Sequence, residues 1–350
     1  MIILRKCGII IRKRGIEIMR KKLENMTVAV TGIGSLGAEL CKKIAENGAK
    51  RLVLIDIYEN NLYKVARFLN ESYPNLEVRP YVASICNILQ MEKILKMEKV
   101  TFLIHTAAHK HVPLMEIVPD EAVNNNILGT YNIAEASGDL GCEKVVLIST
   151  DKAVEPTCVY GATKRVCEMI FYKMSKIYRN TEYITIRLGN LYGSEGSVVQ
   201  LFESQLAAEQ DLTVTDPRMT RYFIPIKAAC EHVLNLIETH ETGKIFFPEM
   251  GEPVNINKIA SDILSESHKN NAKIIYTGLR NGEKIHEKMF YNHEKPVIYE
   301  KNRMYICDEI KLDVGRFDHL LELIRGAAGT PDAPDEIRRL LREILSCAYA

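Results

Sequence analysis

Apolar positions recur along this chain in two alternating rhythms. Residues 27–30 form a short unbroken apolar run, and residues 38–45 then carry apolar side chains at helical spacing up to Gly48. The pair of patterns repeats. Runs at 51–56, 76–82, 100–105, 144–149 and 182–187 read as strands. Residues 61–69, 91–96, 122–138 and 160–178 read as helices between them. Strands that alternate with helices form a parallel sheet covered on both faces. Ligands of such sheets bind beyond the carboxyl ends of the strands. Asp56, His105 and Ser149 each close a strand run, so candidate chemistry collects on one edge. From Gly189 onward the alternation weakens, with breaks at 193–197, at Asp216-Pro217 and at 278–282. Residues 335–345, with Ile337, Leu340, Leu341, Ile344 and Leu345, read as a terminal amphipathic helix.

The turn after the first strand is Gly32-Ile33-Gly34-Ser35-Leu36-Gly37, followed at once by a helical pattern. Glycines there permit a tight turn and close backbone approach to a pyrophosphate seated at the helix N-terminus. Asp56 ends the second strand about twenty residues further on, where a carboxylate bonds the ribose hydroxyls of a dinucleotide. A carboxylate at that place repels a 2′-phosphate, which favours NAD over NADP. The fold class expected is therefore α/β, a Rossmann-type doubly wound parallel sheet with a smaller C-terminal substrate lobe. Residues 26–192 form the NAD-binding domain in this reading. Residues 222–247 return to it, and 193–350 are mainly lobe and C-terminal helix.

Composition changes this picture only at its edges. The chain has 350 residues, 47% of them apolar and 26% charged, enough for one large α/β unit or two joined ones. A net charge of +1 gives no reason to expect nucleic acid. Nine cysteines lie without Cys-x-x-Cys pairing or metal-ligand spacing, which suits a reducing compartment and no metal. No apolar run reaches membrane-spanning length, and no signal peptide with a cleavage site is visible. The expected location is the cytoplasm. Residues 1–25 differ from the rest: between Ile2 and Lys22 they mix Ile and Leu with eight Lys and Arg. Such an arm packs on the domain or on a partner subunit; the alternative is peripheral contact with an anionic membrane surface.

The densest chemistry is Ser149-Thr150-Asp151-Lys152 followed by Tyr160 and Lys164, all within sixteen positions. On a helix, Tyr160 and Lys164 share one face. An ammonium beside a phenol lowers the phenol's pKa, so Tyr160 is expected to take a proton from a sugar hydroxyl while hydride leaves the same carbon. Asp151 and Lys152 add an acid and a base that plain hydride transfer does not need.

These segments resemble the extended short-chain dehydrogenase/reductases. Within them the chain is similar to the UDP-N-acetylglucosamine 4,6-dehydratases of surface-glycan pathways, from about residue 26 to about residue 300. The resemblance is carried by 105–116, 121–130, 149–156, 160–165, 213–221 and 278–284. It implies a nucleotide-sugar hydro-lyase with tightly bound NAD. NAD oxidises C4 with Tyr160 as base and Lys164 holding its pKa down, Lys152 removes the C5 proton, Asp151 protonates the hydroxyl leaving C6, and Thr150 bonds O4. It further implies that Gly32, Gly34, Ser35, Leu36, Gly37, Asp56, Ser84, Ile85, Ala107 and Lys110 meet the cofactor. Lys110, His111, Asn190, Thr215, Met219, Arg221, Arg280 and Glu283 then meet the substrate, the arginines on its diphosphate. Asn126 and His105 are expected to be architectural.

The chain departs from the family pattern in four places. Its glycine turn is one residue shorter. Ser84 stands where the family has an acidic residue facing adenine. Glu195 replaces an arginine near the substrate lobe, and Asn281 replaces a proline. A nucleotide-sugar epimerase on the same scaffold is the alternative activity, opposed by Asp151-Lys152. Val166, Met169, Ile170, Met174 and Ile177 give the 160–178 helix an apolar face broad enough to expect a homo-oligomer, a dimer or larger.

Overall fold

The computed structural model describes residues 23–267, 272–299, 303–308, 310–330 and 334–349. The basic segment up to Lys22, on which the arm and membrane-contact readings rest, lies outside the described residues.

Strands β1 (Thr27–Thr31), β2 (Arg51–Asp56), β3 (Glu77–Val82), β4 (Phe102–His105), β5 (Lys144–Thr150) and β6 (Glu182–Leu188) pair in parallel in one sheet. Among the described residues the sheet has nine strands, completed by β7 (Ile245–Pro248), β8 (Val297–Tyr299) and β9 (Met304–Cys307), in the order β8-β9-β7-β6-β5-β4-β1-β2-β3. β9 runs antiparallel to β7, and β7 parallel to β6. The chain is thus a Rossmann-like α/β fold. The period of two along each strand explains the unbroken apolar runs, because both faces are covered. Ala29, Val53, Leu103 and Val145 enter one core, while Val28, Val30, Leu52, Ile104 and Val146 enter the other. β3 is the edge strand and carries Pro80, a residue that only an edge accommodates without losing a ladder bond. Strand order reverses at β1, between β2 and β4, which opens a crevice beyond their carboxyl ends.

Helix α1 (Ser35–Glu46) follows the glycine turn. Then come α2 (Glu59–Ser72), α3 (Ile88–Glu98) and α4 (Val112–Ile117). The expected 122–138 helix is α5 (Pro119–Ala122), a π-helical stretch (Val123–Leu128) and α6 (Gly129–Asp139) in succession. Such π stretches gather at functional sites, and this one presents Asn126. β5 ends in a single 3₁₀ turn (Asp151–Ala153), and α7 (Val159–Ile177) follows. A third, smaller core belongs to the lobe: α8 (Val198–Ala207), the short strand Leu212–Val214 and α10 (Ile256–Glu266) bury Phe202, Leu206, Leu212, Ile256 and Ile259. α9 (Ile226–Asn235) packs back on α1.

The C-terminal helices α11 (Val314–Ala327) and α12 (Pro334–Leu345) correct the reason given for a dimer. α12 lies against α7 and buries Ile337, Leu340, Leu341 and Ile344. Val166, Met169, Ile170 and Met174 are buried within one chain, in a core that α7 shares with the sheet, α6 and α12; of the five residues that formed the expected interface, Ile177 alone stays exposed. Periodicity shows that an apolar face needs a partner, and here the partners lie in the same chain. Among the described residues no helix is long and apolar enough to cross a membrane. A chain ending at residue 312 uncovers the α7 face. It is expected to melt at lower temperature and to show a larger mass by light scattering than the full chain at equal concentration; equal mass and equal Tm contradict this packing.

Candidate active site

A cleft of about 670 Å³ lies beyond β1, β4 and β5. Its floor is the glycine turn. A Cβ on Gly32, whose φ is +83°, would sit 2.5 Å from the backbone N and Cα of Ala107, and one on Gly37 would sit 1.9 Å from the Gly32 carbonyl. Gly34 has nothing within 4 Å, so the open side of the turn faces the cleft. The short turn is closed by Asp56: its carboxylate accepts the Ile33 N–H, and the Tyr58 N–H at 2.7 Å. Thr106, which sequence patterns did not single out, donates to the Gly32 carbonyl at 2.6 Å. Ser35, Leu36, Ile85, Ala107, Lys110, His111, Tyr160 and Lys164 line the same cleft. This cradle fits a dinucleotide. Ser84 corrects its expectation: it is off the cleft wall, and its hydroxyl accepts the Cys86 N–H at 3.2 Å. Ile85 and Ala83 form the wall instead.

Two residues hold the cleft's architecture. His105 is fully buried between the hydroxyls of Thr31 at 2.7 Å and Thr130 at 3.0 Å. Burial, with Lys164 nearby, pulls its pKa down to about 3. Asn126 accepts the His109 N–H at 2.8 Å and donates to the His109 carbonyl and to Thr163, each at 3.0 Å.

Asp151 and Lys152 sit on the 3₁₀ turn. Lys152 Nζ lies 3.0 Å from Asp151 Oδ1, 3.3 Å from Asn190 Oδ1 and 3.6 Å from Glu287 Oε1. Asp151 is fully buried; its Oδ1 also accepts the Thr150 hydroxyl at 2.9 Å, while Oδ2 has no hydrogen-bond partner. Burial alone lowers the proton affinity of Lys152, but the Asp151 and Glu287 carboxylates outweigh it and hold the ammonium above its ordinary range. Without substrate, then, the expected base carries its proton. Tyr160 also differs from expectation. Burial pushes its phenol above the usual range, and the strongest opposing charge is Lys152, not Lys164. Lys164 is itself buried and lowered by desolvation, which the neighbouring Cys167 and Glu168 only partly oppose. The i,i+4 spacing places Lys164 on the right helix face but inside the protein.

A second chamber, about 260 Å³, adjoins the cleft and shares Lys152 and Asn190 with it. Thr215, Met219, Arg221, Arg280 and Glu283 line it, so the substrate candidates separate into this group and a cofactor-side pair, Lys110 and His111. Lys110 donates to the Glu195 carbonyl at 3.0 Å, and the Glu195 N–H donates to Ser35 at 3.0 Å. The loop with the reversed charge therefore crosses the glycine turn. Arg221 is buried and spends its donors on the carbonyls of Thr220, Ile285 and Lys284, at 2.7, 3.1 and 2.9 Å. Arg280 is exposed at the chamber's rim.

Residues 282–294 form a strap over the Asp151–Cys158 loop. Thr157 donates to the Gly282 carbonyl at 2.8 Å, Lys284 to the Val154 carbonyl at 2.7 Å and Tyr291 to the Ala153 carbonyl at 3.0 Å. Behind the loop, fully buried Arg187 makes a two-pronged contact to Glu168, both bonds 2.8 Å, and bonds Glu294 at 2.6 and 2.8 Å. Ser149 donates to Glu168 at 2.7 Å and Arg165 at 2.9 Å. Glu168 is held down to about 2; burial opposes this, but Arg187 and Arg165 prevail. Glu287 and this network lay outside the sequence reading. The only signal was position, since Glu287 stands three residues beyond the Gly-Glu-Lys run that ends at Lys284.

The fold, the glycine cradle and the Tyr160–Lys164 helix define an extended short-chain dehydrogenase/reductase. The sequence profile of the polysaccharide biosynthesis protein family matches residues 28–309, and the chain belongs to that family. It is 38% identical over 287 residues to the capsular polysaccharide biosynthesis protein CapD of Staphylococcus aureus, covering 80% of this chain and 48% of that one. The chain thus spans about half the length of CapD. It is 34% identical over 287 residues to an inverting UDP-N-acetylglucosamine 4,6-dehydratase of Campylobacter jejuni, covering 80% of this chain and 82% of that one. Among solved structures, Pen from Bacillus thuringiensis superposes with a TM-score of 0.76 at 28% identity, over 82% of this chain and 90% of Pen. The dTDP-glucose 4,6-dehydratase DesIV of Streptomyces venezuelae, with NAD and TYD bound, gives 0.66 at 18% identity over 74% and 87%, a likeness of fold.

Arg187→Met leaves Glu168 and Glu294 buried against fewer cations. It is expected to cost about 3–5 kcal/mol of stability in denaturant titration; a loss under about 1 kcal/mol contradicts the assigned role of the network.

Proposed function

We propose that this chain is an NAD-dependent nucleotide-sugar 4,6-dehydratase of surface-glycan biosynthesis, acting on UDP-N-acetylglucosamine or a close analogue. The observation that carries the reading is Lys152, which lines both chambers, with the buried Asp151 carboxylate 3.0 Å behind its Nζ. Bound NAD supplies the hydride acceptor for C4 and the hydride donor for C6. Tyr160 takes the O4 proton, aided by the charge of Lys152. The resulting ketone acidifies the C5–H bond. Elimination needs Lys152 as free amine and Asp151 as acid, and moving one proton from Nζ to Oδ1 across their contact produces both. Lys152 then takes the C5 proton while Asp151 protonates the hydroxyl leaving C6 as water. An acid and a base set apart in this way are what such an elimination requires. Exposed Arg280 at the rim of the second chamber suits a diphosphate. A site with this cycle regenerates its cofactor, so NAD can stay tightly bound. We place the reaction in the cytoplasm.

The alternative is 4-epimerisation. The full burial of Asp151 favours it, since a buried pair can serve only to shape the loop. Product mass separates the two.

Stripped protein is expected to bind NAD more tightly than NADP in calorimetric titration, because the Asp56 carboxylate repels a 2′-phosphate; tighter NADP binding contradicts this. With UDP-N-acetylglucosamine the product is expected to be lighter by one water and, in deuterium oxide, to carry one deuteron at C5. Lys152→Met and Asp151→Asn should block water loss. Tyr160→Phe should slow C4 oxidation by about a hundred- to ten-thousand-fold. A product of unchanged mass, inverted at C4, makes the epimerase reading the right one.

A further inference from the structure

Glu287 belongs to no step assigned above, yet its side chain is only 3% exposed and it lines the substrate chamber. Oε1 lies 3.6 Å from Lys152 Nζ and 3.9 Å from Arg221 Nε, and Oε2 lies 3.2 Å from Lys284 Nζ. Burial opposes its ionisation, but Lys152, Lys284 and Arg221 together keep it below its ordinary pKa. Two of these cations are fixed independently of Lys152. Arg221 is held by three backbone carbonyls, and Lys284 by the Val154 carbonyl. The strap therefore aims a carboxylate at Lys152 Nζ through contacts that Lys152 does not supply.

We infer that Glu287 is a positioning residue for the elimination, which orients Lys152 toward the sugar and stabilises the ammonium formed when Lys152 takes the C5 proton. The inference rests on the dehydratase reading. In that step the C5–H bond breaks and its electron pair forms the C5–C6 double bond. The C6–O bond breaks, Lys152 gains the C5 proton, and the proton of Asp151 leaves with the oxygen as water. Lys152 goes from neutral to positive, and Asp151 from neutral to negative. Of the three groups around Nζ, Asn190 is neutral throughout and Asp151 changes charge. Glu287 is the one whose negative charge stays constant. The buried aspartate behind the histidine of a Ser-His-Asp triad acts on the same principle, orienting a base and stabilising its cation while remaining ionised. The other groups facing this pair are Tyr160 and Cys158 on the Lys152 side, and Arg221 and Lys284 on the Glu287 side.

The test compares full-length wild type, Glu287→Gln and Glu287→Asp with UDP-N-acetylglucosamine and NAD. Three readouts are followed across pH: absorbance of reduced nicotinamide for C4 oxidation, deuteron entry at C5, and water loss. In Glu287→Gln the plateau rates of C5 exchange and water loss are expected to fall about tenfold or more beyond any fall in C4 oxidation, a part of the 10²–10⁴ that a whole general base supplies. The limb on which C5 exchange rises with pH should move to lower pH, because the ammonium has lost an anion. Glu287→Asp keeps the charge, so its limb should stay nearer the wild-type position and its rate should recover in part. If the Gln variant does not fold, the Asp variant alone decides: the drawn-back charge should slow elimination more than oxidation. Equal losses in both half-reactions with an unmoved pH limb would show that Glu287 only holds the strap. Wild type that never releases water overturns the dehydratase reading and this role together. Wild-type dehydration with an unchanged partition in the variants overturns this role alone.

Discussion

The buried Arg187 guanidinium is the constraint on which the site is built. It sits near the end of β6 with no exposure and is satisfied from two sides, by Glu168 of α7 and by Glu294 of the strap. Taking three or four charges out of water costs several kcal/mol each, and the arrangement is tolerable only because nearly every donor and acceptor is matched. Each element it joins carries part of the chemistry. Ser149 bonds Glu168 just before Thr150, Asp151 and Lys152. α7 carries Tyr160 and Lys164. The strap carries Glu287. The relative placement of acid, base and phenol follows from how these three elements meet at one cation.

In front of that network the charges are arranged differently. Lys152, Arg221 and Lys284 gather around Glu287 and Asp151, leaving one more positive than negative group where an anionic substrate would enter. The same carboxylates that hold Lys152 as an ammonium make it a stronger base once it has given up its proton, because they stabilise the product of proton uptake. One short contact to Asp151 gives that proton a place to go. The ammonium–carboxylate pair is therefore a starting point from which the acid–base pair can be set.

What the sequence makes legible is local. The period of two in the strands, the glycine spacing and Asp56 place the cleft, and the i,i+4 spacing of Tyr160 and Lys164 puts both on its wall. His105 ends a strand beside others that carry chemistry, and its bonds to the buried hydroxyls of Thr31 and Thr130 make it structural; Asn126 holds the His109 backbone, as the resemblance implies. What stays hidden depends on distance. Nothing near Glu168 announces Arg187 or Glu294, and Glu287 stands three residues past a motif with no pattern of its own. The apolar face of α7 is visible, but periodicity does not say whether a second subunit or α12 covers it. The sign of the Tyr160 shift is hidden for the same reason: burial is set by the whole fold, while spacing reports only which neighbour is near.

The central claim is that one sugar passes its own hydride from C4 to C6 while Asp151 and Lys152 remove water. Substrate deuterated at C4 tests it most directly. The account predicts a product lighter by one water with the deuterium at C6, located by NMR. Deuterium retained at C4 of a sugar of unchanged mass and inverted configuration would contradict it.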